Sequence, residues 1–148
     1  MAESLESALA ALPHGAGFRF VDELYALDPG KSASGGYRLK GSEAFLAAHF
    51  PGEPMMPAVL MIEAIAQLAG IAAQGGASGP PAKLRLAAVR QAKILAAAHP
   101  GDQLGIHATL TATLGDLVQA EGQITLPGEG GAEPTLLATA QVTLGLAP

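Results

Sequence analysis

Cysteine is absent from all 148 residues. Thiol nucleophiles, disulfides and cysteine-based metal sites are therefore excluded, and nothing points to an oxidising compartment. Charge is scarce: Asp, Glu, Lys and Arg make up 14% of the chain, and eight residues are basic against thirteen acidic. The net charge of -5 gives no electrostatic footing for nucleic acid. Four scattered histidines make no metal site. Long apolar runs are missing too. The longest, residues 59–73, is interrupted by Glu63 and Gln67 and falls short of the ~20 residues that span a bilayer. The start, Met1-Ala2-Glu3-Ser4-Leu5-Glu6, is acidic where a secretory signal is basic. The expectation is a soluble, cytoplasmic protein.

Hydrophobic residues are plentiful, at 49%, so a disordered chain is not expected. The length suits one domain over residues 1–148 with a real core. So little charge leaves little polar surface for a monomer, which favours an oligomer.

Residues 3–11 predict a short amphipathic helix, with Glu3 and Glu6 at its positive end. Residues 18–25 and 37–40 read as strands, separated by an Asp28-Pro29-Gly30 turn. Ser42 is suited to cap a short helix through about Ala48. Pro57 fits the first position of a longer helix over 58–73, apolar on nearly every side and so buried all round. Glu63 and Gln67 share one of its faces. Ala66 and Gly70 share another, small enough to let a sheet approach. Gly75-Gly76 and Pro80-Pro81 end the segment. Residues 106–114, 118–126 and 136–144 alternate apolar and polar, as antiparallel strands with one buried face do. Residues 82–98 fit either a strand or a helix. The outline is α+β, a long buried helix against an antiparallel sheet.

The chemistry concentrates in residues 49–63. Pro51 follows Phe50 and stiffens the loop behind His49, an imidazole able to take a proton near neutral pH. Glu63 stands among Leu60, Met61, Ile62, Ala64 and Ile65, where loss of water favours the protonated, donating carboxyl. The N–H groups near Ala58 and Val59, at the start of the helix, suit a developing oxyanion. Together these parts can remove a proton alpha to a carbonyl and expel a beta-hydroxyl.

The run His49-Phe50-Pro51-Gly52-x-Pro54-x-x-Pro57-x-Val59-Leu60-x-x-Glu63-Ala64-x-Ala66-Gln67 closely resembles the signature of FabZ-type 3-hydroxyacyl-acyl-carrier-protein dehydratases. Leu12-Pro13-His14 with Phe18, Val21 and Asp22, and the Pro100-Gly101-Asp102-Gln103 turn, are similar to other parts of that family, so the likeness spans nearly the whole chain. Glu63, where FabA-type enzymes carry Asp, resembles the FabZ branch.

The resemblance implies a hotdog fold, a sheet wrapped around the long helix, in a homodimer or a trimer of dimers. It implies a site at the dimer interface, with His49 of one chain removing the C2 proton and Glu63 of the other protonating the departing C3 hydroxyl. The thioester oxygen would sit on the Ala58 amide, beside Val59, and Gln67 would orient Glu63. The substrate would be carried on acyl carrier protein or coenzyme A, the product would be a trans-2-enoyl thioester, and no cofactor or metal is expected. A hotdog thioesterase and a non-catalytic acyl-binding partner subunit are the alternatives.

The chain departs from the family pattern at Ala58, where the family has Gly, and at Gly15 and Glu23, where it has Arg. The basic run before the Pro-Gly-Asp turn becomes Lys93-Ile94-Leu95-Ala96. Lys83, Arg85, Arg90 and Lys93, four of the eight basic residues, fall in an acid-free stretch. They read equally as a solvated strand face or as a docking strip for phosphopantetheine or its carrier. Met55 and Met56 fit either core filler or an acyl tunnel. His107 is expected on a solvent face, and His14 and His99 in local loop structure.

Overall fold

The helix expected at 58–73 runs from Ala58 to Gln74 in a computed structural model of the chain, and the rest of the fold is arranged around it. The structure describes residues 2–49, 51–75 and 83–146, with the side chains of all but 2–4, 48, 49 and 146. The Phe50 and Pro80-Pro81 readings therefore lie outside the described residues. The elements in order are α1 (Ala2–Ala10), β1 (Glu23–Asp28), β2 (Ser32–Arg38), α2 (Ala44–His49), α3 (Ala58–Gln74), β3 (Leu84–Ile94), β4 (Gln103–Leu114), β5 (Leu117–Leu126) and β6 (Thr135–Leu146). The strands form one sheet in the order β1-β2-β4-β5-β6-β3, and every pairing is antiparallel.

Pro57, read from sequence as the first helical position, is the N-cap of α3, so the helix starts one residue later, and the Gly75 amide closes the other end on the Ile71 carbonyl. Ala58 takes a negative φ, so its methyl costs the helix nothing. Residues 64–72 are buried throughout. Val59 is 69% exposed, so the first turn is open while the middle is enclosed. Opposite the helix lie Ala33 and Tyr37 of β2, Leu104, Ile106 and Ala108 of β4, Ala120 and Ile124 of β5, and Ala138, Ala140, Val142 and Leu144 of β6. Those alternate positions are the inward set that the period-2 pattern predicts. Met56 belongs to the same core, at 1% exposure, as the filler reading has it.

The close approach of helix and sheet depends on a glycine in the sheet rather than on the small residues of α3. A Cβ on Gly122 would lie 2.6 Å from the His107 carbonyl oxygen and 2.6 Å from Ile65 Cγ2. At Gly70 the nearest atom, Leu144 Cδ1, is 4.0 Å away. Ala66 and Gly70 instead line a cavity, described below.

Three strand readings shift. The second strand, expected at 37–40, is β2 and runs earlier, from Ser32 to Arg38, where it pairs with β1 and β4. Residues 18–20 are not in the sheet, because their backbone groups are taken by a side chain, and β1 begins only at Glu23. The ambiguous stretch at 82–98 resolves into β3, whose backbone pairs with β6 from Leu84↔Leu146 to Ile94↔Ala138. Alanine's preference for helix yields there to ladder hydrogen bonds. β3 has a neighbour on one side only, and all its residues but Leu84 are exposed. His107 lies exposed on the outer face, its Nδ1 2.9 Å from Ser34 Oγ, as the alternation predicts. His99 donates its amide to Asp102 in the expected turn. Among the described residues no helix is long and apolar enough to cross a membrane.

Glu43 ties the β2–α2 corner. Its carboxylate accepts from the Lys40 amide (3.0 Å), the Gly41 amide (2.8 Å) and the Tyr37 hydroxyl (2.8 Å). Burial pushes the Glu43 carboxyl up, but these donors outweigh it and hold the group below its ordinary value. Burial, followed by the neighbouring carboxylate, pushes the Tyr37 hydroxyl up.

Two expectations follow from this packing. Gly122→Ala should cost about 2–3 kcal/mol in urea unfolding, and Ile65→Ala should recover only part, since the clash with the His107 carbonyl remains. Glu43→Gln should cost about 1 kcal/mol at pH 7. A depressed folded-state carboxyl stabilises above its unfolded titration and loses that contribution as the pH falls through its folded value. The variant should therefore lose less stability than the parent between about pH 5 and 3.

Candidate active site

Glu63 and Gln67 sit one turn apart on α3, and the structure joins them. Gln67 is 2% exposed, the only polar side chain in the buried core among the described residues. Its Nε2 donates to Glu63 Oε2 (3.1 Å) and to the Phe18 carbonyl (2.9 Å), while its Oε1 accepts from the Phe20 amide (2.8 Å). Both its carbonyl and its amine are thus fixed, and the amide cannot flip without losing all three bonds. It pins the 18–20 segment to the helix and at the same time aims the carboxylate.

Glu63 keeps 20% of its side-chain exposure, on the wall of a cavity of about 540 Å³. Ala66, Gly70 and Ile71 of α3 continue that wall away from Glu63, with Leu12, Leu27 and Leu144 around it. A carboxylate at one place on a largely apolar, elongated wall suits a ligand with one reacting carbon and an apolar tail.

His14, assigned from sequence to local loop structure, belongs to this site instead. Its Nε2 lies 3.5 Å from Glu63 Oε2. Its ring stacks on Phe18, with centroids 6.2 Å apart and planes at 26°. Arg19 holds the loop that carries it, donating to the carbonyls of Leu9, Leu12 and His14. No motif marks Arg19, and forty-odd residues separate His14 from Glu63, so no local periodicity links them. Two signals were available: Pro13, which stiffens the backbone beside His14, and the likeness of Leu12-Pro13-His14 to the family's start, which marked the loop without giving the histidine a role.

The other expected site residues divide. Ala58 is half-buried and Val59 exposed in the first turn of α3, where Pro57 supplies no side-chain cap. First-turn amides lack intrahelical partners, so this end can receive an anionic oxygen. His49 is the last residue of α2. Its side chain lies outside the described set, so its pairing with Glu63 is an expectation carried forward. Among the described residues no three His, Asp or Glu side chains group as metal ligands.

A long buried helix wrapped by one antiparallel sheet, with a carboxylate of the helix on an apolar cavity, defines a hotdog-fold protein. Solved structures agree on the fold. The dehydratase heterocomplex ApeI:P from Xenorhabdus doucetiae matches with a TM-score of 0.78 at 17% identity, over 95% of this chain and 91% of that one. A thioesterase family protein from Silicibacter pomeroyi matches at 0.69 and 16%, over 98% and 96%. The FabA-like domain model matches residues 12–129. A 3-hydroxyacyl-[acyl-carrier-protein] dehydratase FabZ from Clostridium acetobutylicum is 35% identical over 133 residues, covering 90% of this chain and 94% of the relative. The enzyme of the same name from Rickettsia bellii is 35% identical over 123 residues, covering 82% and 85%. The chain belongs to the FabA-like family, and its similar curated relatives are FabZ dehydratases.

Gln67→Leu should strand the Phe20 amide and the Phe18 carbonyl and cost about 2–4 kcal/mol. Urea unfolding measures this.

Proposed function

We propose that this chain dehydrates 3-hydroxyacyl thioesters, presented on acyl carrier protein or as coenzyme A esters, to trans-2-enoyl thioesters. The setting is fatty acid biosynthesis or a related polyketide or polyene pathway in the cytoplasm. The observation that carries the reading is the Glu63 carboxyl, held by a buried amide on the wall of an apolar cavity. Nothing in folding requires a carboxyl there, and an acid on such a wall suits an acyl substrate. Membership of the family supports the same chemistry.

In the reaction, His49 takes the C2 proton while the thioester oxygen rests on the Ala58 amide. Val59 flanks the acyl chain. Glu63 gives its proton to the C3 hydroxyl, the C–O bond breaks and water leaves. The proton on His49 then returns to Glu63 through solvent, so the enzyme ends as it began.

The working unit we propose is a homodimer, and a trimer of dimers is compatible with it. β3 is an eleven-residue edge strand with Leu86, Val89 and Ile94 exposed, and among the described residues no strand pairs with its outer edge. Such an edge invites pairing, and antiparallel addition of a second β3 would satisfy it. Lys83, Arg85, Arg90 and Lys93 are all exposed along the same stretch, and Arg85 also lines the cavity. That supports contact with the phosphate of a pantetheine arm or with its acidic carrier.

The test is purified protein with a 3-hydroxyacyl thioester, following the conjugated enoyl product. His49→Ala and Glu63→Gln should each lower kcat by about 10²–10⁴-fold. Full activity in either variant, or release of free thiol in place of enoyl product, overturns the reading. Mixing the two inactive variants should restore about a quarter of wild-type activity if each site draws on two chains, and none if it does not.

A further inference from the structure

We infer that His14 is a positioning residue for Glu63: with Gln67 it grips one carboxyl oxygen, so that the transferable proton resides on the other. This rests on the dehydratase reading proposed above.

Both contacts to Glu63 converge on Oε2, from Gln67 Nε2 at 3.1 Å and from His14 Nε2 at 3.5 Å. Among the described residues Oε1 has no partner. His14 Nδ1 is buried and has none either. A proton on Nδ1 would be an unsatisfied buried donor, so the ring proton belongs on Nε2, facing Glu63. An N–H bonded to Oε2 from Gln67, and the His14 Nε2 standing 3.5 Å from the same atom, favour Oε2 as the carbonyl-like oxygen of the acid and assign the hydroxyl to Oε1.

The consequence is kinetic. As Glu63 releases its proton it becomes a carboxylate, and N–H donors bind a carboxylate more strongly than a neutral acid. Stabilisation that grows along the reaction lowers the barrier without tightening substrate binding. The rest of the loop is built to hold the ring still, with Arg19 on its backbone carbonyls and Phe18 against its face. A loop histidine of purely structural use would need no contact with Glu63.

Three variants of the full-length protein separate the roles. His14→Phe keeps the aromatic stack and removes the N–H; kcat should fall about tenfold or more with KM within about twofold. His14→Gln carries an N–H of similar reach and should return kcat to within about threefold of wild type, while the shorter His14→Asn should not. In a Glu63→Gln background, His14→Phe should cause no further loss, because His14 acts only through that carboxyl. If His14→Phe does not fold, the Gln and Asn pair decides alone. A kcat within twofold of wild type for His14→Phe or His14→Asn overturns the proposal, as does an undiminished loss in the Glu63→Gln background. One measurement needs no turnover: the ring ¹⁵N resonances of His14 should move on Glu63→Gln in the resting protein. If they move and no thioester is dehydrated, the dehydratase reading fails while the contact stands; if they stay, the contact itself is refuted.

Discussion

The Gln67 amide makes three hydrogen bonds inside the core, and both the shape of the chain before β1 and the aim of Glu63 depend on them. A buried amide left unpaired would cost roughly 1–3 kcal/mol for each stranded group, so the 18–20 backbone is drawn to it. Once there, that segment brings Phe18 and Phe20 edge to face, 4.8 Å apart, and sets the His14 ring against Phe18. One side chain thus couples the fold to the site. The carboxyl of Glu63 is held by an amide whose own groups are bonded in the core, which makes burial of that amide tolerable.

A second constraint works from the sheet side. α3 carries a single charged side chain, Glu63, and apart from the polar contacts of Glu63 and Gln67 its position is set by apolar packing. Gly122 lets Ile65 settle onto β5, and the inward-facing residues of β4, β5 and β6 complete the seat. At the edge of the sheet lies β3, all of whose residues but Leu84 are exposed and which pairs, among the described residues, with β6 alone.

The long helix, the three later strands and the inward set of each were legible because the period of the pattern is a direct image of backbone geometry. Glu63 and Gln67 were legible because polar groups stand out in an apolar helix. Residues 18–20 misled because alternation reports which side chains are buried, not which groups satisfy the backbone. Residues 82–98 were ambiguous because alanine carries little preference once a ladder of hydrogen bonds is available from β6. The segment around His49 was found by its proline and its motif, while His14, next to Pro13 in a run that also resembles the family, was read as loop structure because only the tertiary fold sets it beside Glu63.

The sequence by itself determined the class of fold, the acid on the helix and the family, since these rest on local periodicity and on a fixed spacing along the chain. Tertiary structure alone decided that Gln67 anchors a distant segment, that Arg19 and Phe18 fix the His14 loop, and that the histidine faces Glu63. The contacts of Gln67 and Glu63 join residues more than forty positions apart, those of Arg19 and Phe18 fall within one irregular loop, and no periodic pattern encodes either. They exist because a buried amide, a guanidinium and a carboxyl each had to find partners in the folded chain.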